Sequence, residues 1–160
     1  MIAVKVEGSE QISGLWEDVL KPTITDSMRT ELPEGLYGYY YESLLNGKFV
    51  AWVVTPDDKR DEVYACLIAS IVHDPVVNAN TLLICFTKMF ARVDTSVWIK
   101  TKDTLIDYAR ANNCITVTGY INRAGFVDAL VSKLGATANY TLLTIPVKKD
   151  IPKLGALNVV

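Results

Sequence analysis

Two long apolar runs dominate the chain, the continuous one at residues 49–54 and a second at 63–72, with the polar stretch Pro56-Asp57-Asp58-Lys59-Arg60-Asp61-Glu62 between them. Strands covered on both faces read this way, and a charged turn joining two of them predicts an antiparallel hairpin of central strands. Pro75 ends its second strand. Upstream, residues 1–7 alternate weakly and predict a short strand. Ile12, Leu15, Trp16, Val19 and Leu20 then recur at helical spacing, one apolar stripe on a helix that Ser9 can cap and that stops before Pro22. A second short helix is expected over 25–32, ended by Pro33. The tyrosine-rich stretch 36–45 is ambiguous in type; we favour a helix closed by Asn46-Gly47.

Beyond the hairpin, residues 81–86 predict another strand, and Asp94 or Thr95 opens a long helix ending near Asn112-Asn113. Trp98, Leu105 and Ala109 line one side of it, with Ile99 and Ile106 beside them. Residues 115–117 predict a short strand. Phe126, Val127, Leu130, Val131 and Leu134 give the cleanest helical stripe, capped by Gly135, and 140–147 predict the last strand. The expected order is β, α, α, a third α, then β, β, β, α, β, α, β. No repeat or linker interrupts it, so one α/β domain over 1–147 is expected. Residues 148–160 differ: after Lys148-Lys149-Asp150 comes an apolar tail punctuated by Pro152 and Gly155, which reads as an extended arm.

Composition narrows the function classes. A chain of 160 residues, half hydrophobic and 21% charged, is globular rather than disordered, and at this length buries roughly 70% of its unfolded surface without staples. The net charge of −2 provides no basic field for nucleic acid or anionic lipid, so neither is expected as a partner. Cys66, Cys85 and Cys114 sit in or beside apolar runs, as buried thiols do, and form no CxxC pair. His73 is the only histidine, so a histidine-rich metal site, a Ser/His/Asp triad or a Cys/His dyad would each rest on that one residue. No run reaches the ~18 apolar residues of a membrane span, and the start carries no signal-peptide core. The expectation is an intracellular protein, or part of something assembled inside a cell.

The element order resembles the N-acetyltransferase (GNAT) fold, a mixed and mostly antiparallel sheet flanked by helices. The resemblance covers 1–147. Leu105-Ile106-Asp107-Tyr108-Ala109-Arg110-Ala111-Asn112-Asn113-Cys114, followed by a short strand, resembles the end of the family's cofactor helix. Asn122 before a helix, then Lys133-Leu134-Gly135-Ala136 and a Tyr-bearing strand, resembles the family's closing stretch. Arg123-Ala124-Gly125-Phe126 is similar to a variant found among acetyltransferase-like proteins of tailed bacteriophages. The resemblance implies a fold that in its family carries acetyl-CoA-dependent N-acetyl transfer. A fold hosts many functions, so activity is decided by the site.

There the sequence departs from the family. An Arg/Gln-x-x-Gly-x-Gly/Ala turn holds the cofactor's diphosphate in its members, with glycines that let the backbone approach and amides that bind the anion. Here the connection is Thr87-Lys88-Met89-Phe90-Ala91-Arg92-Val93, without a glycine. Asp94 places a carboxylate where the family binds a diphosphate, favourable for the helix dipole and repulsive to phosphate. Lys88 and Arg92 are the candidate phosphate donors. The family's thiolate-protonating Tyr, four residues before the glycine of the closing motif, corresponds here to Val131. The strand 81–86 carries neither Glu nor Asp. His73 with Asp74, at the end of a central strand, is the candidate base–carboxylate pair.

Two readings follow. The first is a non-catalytic acetyltransferase-like domain serving as a structural or assembly component of a larger particle, a phage virion among them, and so found in the virion or in the host cytoplasm. It needs no cofactor and no metal, and its partners are other protein subunits, copies of itself included. Its contacts would run through Ile151, Leu154, Leu157, Val159 and Val160, because an apolar arm of this kind frays unless it docks. The alternative is an acyl-CoA-dependent N-acyltransferase with a divergent cofactor loop, holding acetyl-CoA through Lys88 and Arg92. A third idea is a modulator that binds a host protein through Tyr37, Tyr39, Tyr40 and Tyr41, residues suited equally to core packing or to a contact face.

Overall fold

In the computed structural model the two apolar runs form β2, Val50–Thr55, and β3, Ala65–Asp74, paired antiparallel in the register Val50↔Ala69 to Val54↔Ala65. Residues 1–28, 32–57, 59, 61–120 and 131–137 are described. Around that hairpin lie β1, Ile2–Lys5, β4, Ala79–Met89, and β5, Cys114–Gly119, in the spatial order β1-β2-β3-β4-β5. Every neighbour is antiparallel except β4 with β5, which run parallel.

Alternation along the strands sorts the side chains into two cores. Ala51, Val53, Cys66, Ile68 and Phe86 face α1, Gly8–Leu15, α2, Lys21–Met28, and α3, Glu34–Leu45, meeting Ile12, Leu20, Ile24, Tyr37 and Leu44. Trp52, Val54, Ala65, Leu67, Ala69 and Leu82 face α4, Thr95–Ala111, meeting Val97, Leu105 and Ala109. Both faces of β2 and β3 are therefore covered, which is why these strands read as long apolar runs. Burying a large apolar side chain as completely as Trp52, Ile68 or Leu82 contributes about 1.5–3 kcal/mol.

The helical N-terminal region departs from expectation. The helix does not stop before Pro22: α1 runs through a π-turn, Trp16–Leu20, straight into α2. Proline lacks the N–H that an α-helix needs, and its ring collides with the carbonyl four residues back, here that of Asp18. The π-turn relieves this, because Lys21 N–H donates to Trp16 O one residue further back than an α-helical bond. Pro22 then falls in the first turn of α2, where no N–H is required. Ser9 lies inside α1 and does not cap it. The N-cap is Glu7, whose N–H is taken by Gln11 Oε1 at 2.9 Å.

In α4 the buried stripe is Val97, Thr101, Leu105 and Ala109. Trp98 is half-buried, and Ile99 and Ile106 are 40% and 36% exposed, so they lie outside it. Thr101 belongs to the stripe because its hydroxyl donates to Val97 O at 2.9 Å and brings no unpaired group into the core. Asn112 caps the helix, and Asn113 turns the chain at φ +56, a left-handed conformation that Asn tolerates. Residues 131–134 are helical, and Gly135 follows at φ +68. Phe126, Val127, Leu130, the expected strand 140–147 and the arm 148–160 lie outside the described residues. Among the described residues no helix is long and apolar enough to cross a membrane.

Candidate functional site

β4 has two halves. From Asn80 to Ile84 it lies between β3 and β5, with Thr81↔Thr116, Leu82↔Val117, Leu83↔Thr118 and Ile84↔Gly119 in register. Among the described residues, Tyr120 N–H extends the parallel pairing by donating to Ile84 O at 3.3 Å. Gly119 stands where they still touch: a Cβ there would lie 3.4 Å from that of Ile84. Among the described residues, β4 pairs beyond Ile84 with β3 alone, and its edge from Cys85 to Met89, here termed the slot, has no described strand beside it.

A β-bulge coincides with the end of the described pairing. Ile68 opposes Phe86 and Ala69 opposes Ile84, so Cys85 is the extra residue. The bulge brings Cys85 and Phe86 to the same face, the one covered by α1 to α3. It also changes which backbone groups point into the slot, and the pair presented is the N–H and C=O of Thr87. Ser27 on α2 accepts from Thr87 N–H at 2.9 Å and donates to Thr87 O at 3.1 Å.

The connection to α4 follows directly. Lys88 is not part of that loop: it lies within β4 opposite Cys66, with Nζ 4.0 Å from Asp26 and 5.4 Å from the Phe90 ring centroid. Phe90 and Ala91 donate their N–H groups to Tyr64 O at 2.9 and 3.1 Å, Arg92 is exposed, and Val93 is buried against the α4 core. Asp94 is the N-cap of α4, with an exposed side chain that caps no backbone N–H. Of the two candidate phosphate donors, Lys88 lies on β4 near Asp26 of α2, and Arg92 lies exposed on the connection to α4.

Beside Lys88, an open cleft of about 500 Å³ is lined by Glu17, Lys21, Thr25, Asp26, Glu34 and Tyr37. Lys21 Nζ is 3.5 Å from Glu17 and 3.8 Å from Glu34, and sits 5.2 Å from the centroid of the Tyr37 ring. Tyr37 OH is 2.7 Å from Thr25 Oγ1 and takes Leu32 N–H at 3.3 Å. The tyrosine group thus divides. Tyr37 is buried, Tyr40 packs edge-on against Phe49 and Phe86, Tyr41 packs on Trp16, and Tyr39 alone of the four is exposed. Lys48 Nζ donates to the Tyr39 hydroxyl and lowers its pKa, whereas burial raises that of Tyr40.

His73 and Asp74 lie at the far end of β4 from the slot, paired with Asn80 and Ala79. From Asn80 to Thr87 the strand spans roughly 23 Å at ~3.3 Å per residue. Neighbours on a strand point to opposite faces, and Asp74 Oδ1 accepts Val76 N–H at 2.8 Å within the hairpin turn. The structure does not assemble the two as a pair at the slot. Val131 is helical and 42% exposed, with no proton to give. The thiols are poor nucleophiles: burial pushes Cys66 up to about 12 and raises Cys85 and Cys114 in the same direction. Among the described residues no cluster of His, Cys, Asp and Glu is placed to hold a metal. The Ser27–Thr87 contact, which the sequence reading missed, joins residues 60 apart with no local signal.

No family model matches the chain, and no curated protein matches it in sequence. Solved structures do. A probable acetyltransferase superposes with a TM-score of 0.70 at 11% identity, over 94% of this chain and 100% of that one. A GNAT family acetyltransferase from Staphylococcus aureus gives 0.61 at 10% identity, over 92% and 100%. An aminoglycoside N-acetyltransferase solved in complex with CoA gives 0.64 at 10%, over 92% and 94%. Likeness at such low identity establishes the fold: a mixed α/β domain of GNAT type, its five-stranded sheet flanked by helices.

Proposed function

We propose that this chain uses the acetyltransferase fold without its cofactor chemistry, as a structural or assembly component of a larger particle such as a phage virion. The observation that carries the reading is the connection from β4 to α4. It has no glycine, anchors itself through buried Val93, and sets the exposed carboxylate of Asp94 at the N-terminus of α4. A helix N-terminus binds anions through free N–H groups and its dipole, and a carboxylate already there repels a second anion. These residues do not fit the diphosphate of a coenzyme A. The similarity of Arg123-Ala124-Gly125-Phe126 to phage acetyltransferase-like proteins supports the choice of particle.

In this reading Ile151, Leu154, Leu157, Val159 and Val160 dock on neighbouring subunits, and the fold supplies the body that carries them. Titrating acetyl-CoA into the protein by calorimetry is the first test. No heat of binding up to millimolar ligand is expected, and a 1:1 isotherm with micromolar affinity would overturn the proposal. Deleting 148–160 tests the arm: association measured by light scattering should disappear while urea unfolding stays cooperative.

One observation favours the second reading, N-acyl transfer. The cleft beside β4 is lined by three carboxylates, Glu17, Asp26 and Glu34, against two lysines, Lys21 and Lys88. The one carboxylate in excess favours an amine cation over an anion there, and holding two reactants side by side contributes several kcal/mol of rate enhancement. That reading predicts CoA-dependent acetylation abolished by Lys88→Ala with Arg92→Ala.

A further inference from the structure

A second depression lies in the helical layer. Trp16 and Glu17 of the π-turn face Glu34, Tyr37, Gly38 and Tyr41 of α3 across an open crevice of about 460 Å³. It shares Glu17, Glu34 and Tyr37 with the cleft beside Lys88, and its chemistry differs. Among the described residues, no lysine, arginine or strand residue lines it. Trp16 and Tyr41 pack edge to face, ring centroids 5.0 Å apart and planes at 75°, and so form a corner of two aromatic walls. Gly38 is the floor. It stands inside α3, where glycine weakens a helix relative to alanine, yet a Cβ added there would meet nothing within 4 Å. The absent side chain relieves no clash and keeps the crevice open.

The two carboxylates share one ammonium, Lys21 Nζ, at 3.5 Å from Glu17 and 3.8 Å from Glu34. That ammonium also lies 5.2 Å from the centroid of the Tyr37 ring, so one cation is already held here by an aromatic face and two acids. One negative charge is left over. Trp16 and Glu17 both belong to the π-turn, a distortion that recurs at functional sites.

We propose that this crevice binds a small organic cation of the quaternary ammonium class, its methylated head against Trp16 and Tyr41 over Gly38 and its charge met by Glu17 and Glu34. Such a head spreads its charge over methyl groups that donate no hydrogen bonds, which suits aromatic faces, and the volume is that of a small-molecule site. A quaternary nitrogen has neither lone pair nor N–H. The ligand is therefore no acyl acceptor, and the site is independent of both readings of function given above.

Choline is titrated into the full chain and followed by NMR at the Gly38 amide and the Trp16 indole N–H. Saturable shifts with a Kd on the order of 1 mM are expected. The uncharged analogue, with carbon in place of the nitrogen, should bind at least about tenfold more weakly. Phosphocholine should also bind more weakly than choline, because its phosphate meets the same carboxylates; this separates a free cation from a lipid headgroup. Gly38→Leu fills the crevice with a better helix former and should abolish the shift of the indole. Trp16→Leu should weaken binding roughly tenfold, and Trp16→Phe, which keeps an aromatic face, should weaken it less. Unchanged amides for Ile68 and Leu82 confirm that each variant is folded. The proposal is overturned if no saturable shift appears up to about 0.1 M choline, roughly a hundredfold above the expected Kd. It is equally overturned if the uncharged analogue or phosphocholine binds as tightly as choline, or if Gly38→Leu binds choline as the wild type does.

Discussion

The two halves of β4 share β3 on one side and have opposite situations on the other. In the first half β5 supplies a strand, and the Thr81 hydroxyl adds a bond to Thr116 O at 3.1 Å and a contact with Thr116 Oγ1 at 2.6 Å. In the second half α2 supplies two side chains instead, Ser27 for the backbone of Thr87 and Asp26 for Lys88. Backbone donors and acceptors near a core demand partners whatever their source. Past the described pairing with β5, a side chain from the adjoining layer meets the backbone of Thr87.

The comparison is easiest to break at its base, the burial that both halves share. Leu82→Ala in the first half should cost about 2–5 kcal/mol and Phe86→Ala in the second about 3–5 kcal/mol, read from urea unfolding. A loss below about 1 kcal/mol for Phe86→Ala would mean that the second half is not anchored as described. The hydroxyls sharpen it next. Ser27→Ala should cost about 1–2 kcal/mol, since it strips two backbone groups of their partner, and Thr81→Val about 0.5–1.5 kcal/mol, since β5 still holds the backbone. The reverse ranking would contradict the division of labour along β4.

Thiol labelling at neutral pH contrasts the residues buried beneath the sheet with those beside the slot. Cys66, raised to about 12, should stay unmodified until urea unfolds the chain, and half-buried Cys85 should react more slowly than a free thiol. The smallest effect is expected far from β4. Lys48→Ala should raise the ionisation pH of Tyr39 toward the ordinary phenol value, seen by ultraviolet titration, and leave stability nearly unchanged.

What the sequence disclosed follows from the range of its signals. The β2–β3 hairpin was legible because burial on both faces leaves long apolar runs, α4 through its periodicity and Asn-containing end, and α3 only through Asn46-Gly47, its tyrosine-rich stretch being ambiguous in type. Pro22 misled because a proline signals a break only if the preceding turn is α-helical, and the π-turn at Trp16–Leu20 carries no glycine to announce it. Ile99 and Ile106 misled because apolar residues were counted where Thr101, self-satisfied through Val97 O, holds the buried position. Lys88 was placed in the loop because β4 runs three residues past the apolar stretch ending at Phe86. The missing glycines of the β4–α4 connection could be read from the sequence, whereas the bulge at Cys85 and the Ser27 contact exist only once strands and helices have met.

The π-turn has a further consequence, one of phase. Each residue advances an α-helix by about 100°, so the extra residue accommodated between Trp16 and Leu20 sets the angular offset between the side chains of α1 and those of α2. Ile12 before the turn and Ile24 after it both reach the same face of the sheet only because of that offset. A one-residue deletion within 16–20 would give a more regular helix and a worse protein, because the Pro22 ring would then meet the carbonyl four residues back. The segment beyond it would keep its face, because the eleven steps then separating Ile12 from Ile24 come to about 20° past whole turns, so the cost would fall on Pro22 and not on Ile24 or Ser27.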